Sequence, residues 1–128
     1  MQHENNLLCA LVTAFGVATL LGMVAMPARA ADATRGETVF KSCAACHTGR
    51  ADGLGPNLKG VYGRKAGTLE DFRYSPAMKR ADFVWDDANL REYIYDPQGK
   101  VKGNRMPFSG LKSQADVEDV VAYLQRLR

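Results

Sequence analysis

Apolar residues recur at helical spacing at both ends of residues 31–128 and lose that order between them. Val117, Val120, Val121, Leu124 and Leu127 keep the i, i+3, i+4, i+7 rhythm of one buried stripe, and Ser113-Gln114-Ala115-Asp116 opens that helix. Near the other end, Thr34-Arg35-Gly36-Glu37 has the form of a capping box, followed by Val39, Phe40 and Cys43 at helical spacing. The two stripes predict a pair of helices packed face to face, with Gly36 permitting close approach. Asp86 and Asp87 offer the cap of a third helix through Leu90, Tyr93 and Ile94, which must stop before Pro97 because proline disfavours helical geometry in the residue before it. Ser75-Pro76 reads as a cap and first helical residue of a short turn. Gly49, Gly53, Gly55, Pro56, Gly60, Gly63 and Gly67 break up the segment after residue 47, with neither strand alternation nor an internal repeat. The expected class is all-α, with short helices and long loops.

The longest apolar run, Leu7 to Met26, has a different character. It is uncharged and leads into Pro27-Ala28-Arg29-Ala30, with small residues where a signal peptidase requires them, so residues 1–30 read as an export signal cut after Ala30. Glu4 stands where a signal carries Lys or Arg, and a run near 20 residues also suits a bilayer span, which leaves an uncleaved membrane anchor as the alternative. Residues 31–128 then form one small domain in the periplasm. A chain this short buries little apolar surface and gains from an embedded apolar body.

Cys43-Ala44-Ala45-Cys46-His47 supplies that body. C-x-x-C-H is the attachment signature of a c-type haem: two thiols three residues apart add across the vinyl groups of one porphyrin, and the adjacent imidazole reaches the iron. A four-ligand zinc site would need a second Cys/His pair, and the other such residues are His3 and Cys9 in the leader. A thioredoxin-like pair would follow a strand of a βαβ unit, and no such alternation is present. The cofactor expected is one covalent haem c with its iron, held by Cys43, Cys46 and His47.

His47 is the only histidine after residue 30, so the second axial position falls to Met78, Met106, a lysine, or nothing. Context favours Met106, in the glycine- and proline-bounded loop Gly103-Asn104-Arg105-Met106-Pro107-Phe108, although either methionine would also serve as core filler.

Charge adds a direction. Lys and Arg exceed Asp and Glu by 17 to 14, too small an excess for a nucleic-acid-binding stripe. The distribution is uneven: Lys100, Lys102, Arg105 and Lys112 lie on a stretch free of acids, whereas Asp82, Asp86, Asp87, Glu92 and Asp96 dominate the one before it. The expected partners are redox protein complexes that present an acidic face to this basic loop.

Joined together, Cys43-Ala44-Ala45-Cys46-His47, Gly55-Pro56-Asn57-Leu58, Gly63-Arg64-Lys65, Phe72-Arg73-Tyr74-Ser75, Trp85, Tyr93, Pro97 and Asn104-Arg105-Met106-Pro107-Phe108 resemble the class I c-type cytochromes over nearly all of residues 31–128. The resemblance implies a small cytochrome c fold, N- and C-terminal helices packed together around one haem, and His47 and Met106 as its axial ligands. It also implies that Pro56 accepts from the far nitrogen of His47, that Tyr93 and Asn104 lie beside Met106, and that Arg64, Tyr74 and Trp85 hold the propionates. The sequence departs from the mitochondrial pattern in a shorter loop after His47, in Met78 for a polar asparagine, and in Gln98, Gly99 and Arg105 for lysines of the haem-edge ring. The implied function is a monomeric periplasmic one-electron carrier in a respiratory or photosynthetic chain, not an enzyme. The alternative is a haem enzyme or gas-binding sensor with an open iron position.

Overall fold

The computed structural model describes residues 29–128. The expected export signal, with Cys9 and His3, lies almost wholly outside the described residues. Among the described residues five helices follow one another: α1 Ala33–Ala44, α2 Pro76–Lys79, α3 Asp87–Tyr95, α4 Pro97–Lys100 and α5 Gln114–Arg126. No strand forms among the described residues; Lys65 and Val84 make one isolated antiparallel bridge. Among the described residues no helix is long and apolar enough to cross a membrane.

Each helix starts where a short polar side chain satisfies its free amides. The capping residue of α1 is Asp32, not Thr34 as the capping-box pattern suggested: its carboxylate accepts from Thr34 N at 2.8 Å and Arg35 N at 3.4 Å. A carboxylate also suits the positive end of the helix dipole, and Arg35 pairs with it at 2.7 Å. Asp86 caps α3 through Asn89 N, Ser75 caps α2 through Met78 N, and Ser113 caps α5 through Asp116 N, all as expected. Pro97 ends α3 and, capped by Asp96, starts the single turn α4, which the sequence pattern did not indicate.

The centre of the fold is the crossing of α1 and α5. Val117, Val120, Val121 and Leu124 are buried, Leu127 is half-buried at the C-cap of α5, and Phe40 of α1 meets Tyr123 with ring centroids 5.0 Å apart. Gly36 faces the α5 backbone, where a Cβ would overlap the Asp119 carbonyl and come within 2.9 Å of Tyr123 Cβ. Asp119 was not foreseen in the core, since it interrupts the apolar stripe. Its carboxylate, 2% exposed, accepts from Asp32 N at 2.7 Å and Arg35 Nε at 3.0 Å, and also pairs with Arg29. A buried anion is tolerated only when paired and hydrogen-bonded in this way.

Trp85 anchors the other side. Its backbone bonds both ways with the 63–64 turn, and its ring stacks edge-on with Phe83 at 4.9 Å and Tyr93 at 5.0 Å. The loops between α1 and α3 are thereby folded against the α1–α5 pair, leaving a cavity between them.

Candidate cofactor site

That cavity holds about 580 Å³ and is lined mainly by apolar side chains, with Phe40, Leu58, Val61, Leu90, Ile94, Val120 and Leu124 among its walls. The volume lies within the range of about 300–1,000 Å³ common for sites that bury a cofactor. All ten of the site residues expected from the sequence, namely Cys43, Cys46, His47, Pro56, Arg64, Tyr74, Trp85, Tyr93, Asn104 and Met106, line it.

The end of α1 delivers the thiols. Cys46 N and His47 N both donate to the Cys43 carbonyl, at 3.1 and 2.9 Å, so the chain turns immediately after the helix and brings both cysteines and the imidazole to one wall. Neither cysteine is in a disulfide, and both are half-buried. Burial pushes the Cys43 thiol up, against a lowering contact from Ser42 and with a smaller raising effect of Cys46.

His47 donates from Nδ1 to the Pro56 carbonyl at 2.8 Å. This bond leaves Nε2 with its lone pair, and burial holds the ring below the usual histidine pKa, against the opposing Pro56 bond. A neutral imidazole oriented by a bond at its other nitrogen is the form that ligates a metal. Gly55 is the seat of the ring: a Cβ there would lie 2.5 Å from His47 Cε1. The sequence showed Gly55 as a loop breaker and as part of the Gly55-Pro56-Asn57-Leu58 stretch, without setting it against the ring.

Met106 enters from a different loop and is half-buried. Its backbone N–H donates to Asn104 Oδ1 at 2.8 Å, while Asn104 Nδ2 donates to the carbonyls of Pro97 at 2.8 Å and Val101 at 2.9 Å. Asn104 therefore shapes the loop that carries Met106. Met78, within α2, also lines the cavity, but it is 6% exposed and packed in the hydrophobic core.

Arg64 tests whether a haem suits this space. Its Nη2 donates to Asn57 O at 2.9 Å and its Nη1 to Lys59 O at 3.3 Å, yet Nε is buried with no partner. An orphaned cationic N–H is costly unless an anion meets it. Tyr74 and Tyr93 share the cavity; burial raises both hydroxyls, that of Tyr93 to about 12, so both remain donors at neutral pH. An apolar slot with paired thiols, a neutral imidazole and unspent donors fits a flat apolar cofactor bearing carboxylates.

The family model described as Cytochrome c matches residues 33–128. The chain belongs to the cytochrome c family. It accordingly carries a covalent haem c, for which Cys43 and Cys46 fit the attachment motif. Cytochrome c2 of Blastochloris viridis is 44% identical over 115 residues, covering 88% of this chain and 90% of that protein. Cytochrome c2 iso-2 of Magnetospirillum fulvum is 49% identical over 90 residues, covering 69% and 94%. Cytochrome cH from Methylobacterium extorquens shares the fold with a TM-score of 0.71 at 42% identity, over 74% of this chain and 98% of that one.

The basic residues singled out in the sequence do not share one setting. Arg105 is exposed at the mouth of the cytochrome's haem cavity, whereas Lys100, Lys102 and Lys112 do not line it. Lys100 is only 12% exposed and pairs with Glu92 at 2.5 Å. Lys112 donates to Tyr95 O at 3.1 Å and lies over the Tyr95 ring. Sequence reasoning gave no role to Arg73 and Leu54, both exposed at the mouth; an 81% exposed leucine between two glycines carried no periodic signal.

Proposed function

We propose that this cytochrome c is a periplasmic one-electron carrier, working as a monomer, whose iron is held by His47 Nε2 on one side and Met106 on the other. A haem with these ligands supplies an iron that takes up and releases one electron, and a thioether raises its potential relative to harder donors. The observation that carries the reading is the His47 Nδ1 bond to Pro56 O, which leaves the other imidazole nitrogen free for a metal in a ring that lines the same cavity as Met106, a residue of a separate loop. Arg64, Tyr74 and Trp85 orient the carboxylates of the group, Arg64 through its unpartnered Nε. Residues 1–30 direct export, on the strength of the apolar run before Ala28-Arg29-Ala30. Relatives named cytochrome c2 support a carrier, not an enzyme. Its partners are redox complexes with acidic faces, drawn toward the exposed cations Arg105, Arg73, Lys102 and Lys112 by long-range attraction.

Absorption and potentiometry of two variants test the ligand set. Met106→Ala should keep the covalent haem, lose the iron–sulfur band of the oxidised protein and lower the reduction potential, while Met78→Ala keeps the band. Loss of the band in Met78→Ala alone would move the ligand to that residue. A band unaltered in both would refute methionine ligation.

A further inference from the structure

The segment that carries Met106 has an unusual set of attachments. Within residues 97–108, Gly103 N donates to Gln98 Oε1, Gln98 Nε2 to Asn104 O, Asn104 Nδ2 to the carbonyls of Pro97 and Val101, and Phe108 N to Met106 O. Each bond closes on the segment itself or on its capping residue, Asp96. Among the described residues, one hydrogen bond leaves it for another part of the fold: Lys100 Nζ donates to Glu92 Oε2 of α3. The Lys100 ammonium also lies 4.8 Å from the centre of the Phe83 ring, and Phe83 stacks on Trp85, which stacks on Tyr93. The side chain is 12% exposed, so its stem is packed as well as its charge paired. A single turn such as α4 has no stability of its own and depends on such contacts.

We infer that Lys100 and Glu92 form a strap that keeps the Met106 segment closed on the haem cavity, so that Lys100 is a positioning residue and not part of the surface that meets redox partners. This rests on the proposed ligation by Met106. Breaking the strap leaves the internal bonds of the segment and the buried Pro97 and Val101 in place, and loosens the stretch after Val101 that carries Met106.

The probe is imidazole binding to the oxidised holoprotein, which requires the methionine to leave the iron. Lys100→Ala and Glu92→Gln should each raise the binding rate, by roughly three- to tenfold for the lysine, given what an ion pair and a cation–ring contact are worth. The double variant should do no more than the larger single one, and Lys100→Arg should restore the parent rate. Amide hydrogen exchange across Val101–Phe108, which does not depend on ligation, should quicken in the same variants. Parent-like rates and exchange in both single variants, or effects that simply add in the double variant, would overturn the strap. Met106→Ala separates the two inferences: if it binds imidazole no faster than the parent, the ligand assignment fails, and the exchange measurement still decides the strap.

Discussion

Replacing Gly36 by alanine puts one methyl group into the crossing of α1 and α5. The new carbon would overlap the Asp119 carbonyl and stand 2.9 Å from Tyr123 Cβ. These neighbours are backbone, or a carbon fixed to it, so no rotamer change relieves the contact; the helices must part. Overpacking of this kind costs about 1–3 kcal/mol. Alanine returns about 0.5–1 kcal/mol as a better helix former than glycine. Overlap with fixed backbone puts the cost at the upper end of that range, so the net loss is about 2–2.5 kcal/mol, or a fall in Tm of about 8–20 °C for a domain of this size. Parting the helices also loosens Val120, Val121 and Leu124, which share the buried cluster with Phe40. The assay is thermal or guanidinium unfolding of the haem-loaded protein, followed through Trp85, the single tryptophan. Glu37→Ala, on the exposed side of α1, is the control and should stay within about 0.5 kcal/mol of the parent. A Gly36→Ala protein as stable as the parent, or more so, would show that helix propensity outweighs the close approach and would refute the reasoning.

Burial raises the Tyr93 hydroxyl from its ordinary value near 10 to about 12, so the folded protein holds that proton longer than the unfolded chain. The stability this contributes is complete below about pH 10 and is lost as the pH rises toward 12, at most about 2–3 kcal/mol; Tyr93→Phe should flatten the alkaline limb of the stability profile, and an unchanged limb would count against the cause given. Arg64→Gln removes a cation from the cavity wall and two bonds to backbone carbonyls, so it should lower both the reduction potential and the unfolding free energy, the latter by about 1–3 kcal/mol, with a potential at or above the parent's speaking against its place beside a propionate. Reversing Arg73 and Arg105 to Glu should slow electron transfer to an acidic partner at low ionic strength and leave the rate near that of the parent at high salt, where rim charges are screened; equal rates at every salt concentration would exclude steering by this rim.

Much of this protein is set within short stretches of its chain. C-x-x-C-H names the cofactor because the chemistry needs two thiols and an imidazole at fixed short spacing, which any fold must respect. Ser75, Asp86 and Ser113 start their helices as read from the sequence because a cap acts within three residues. The stripe of α5 marks its buried face for the same local reason. What the sequence left open depends on groups far apart along the chain. Asp119 looks like a surface residue until Asp32 N and Arg35, more than eighty positions away, are folded onto it. Gly55 reads as a turn until the His47 ring is laid against it. Lys100 belongs to a basic run in the sequence and to the inside of the fold in space, since only packing brings Glu92 and Phe83 to its ammonium group. Charge along a chain is additive, but whether a charge faces water or a partner is decided by the contacts that close over it.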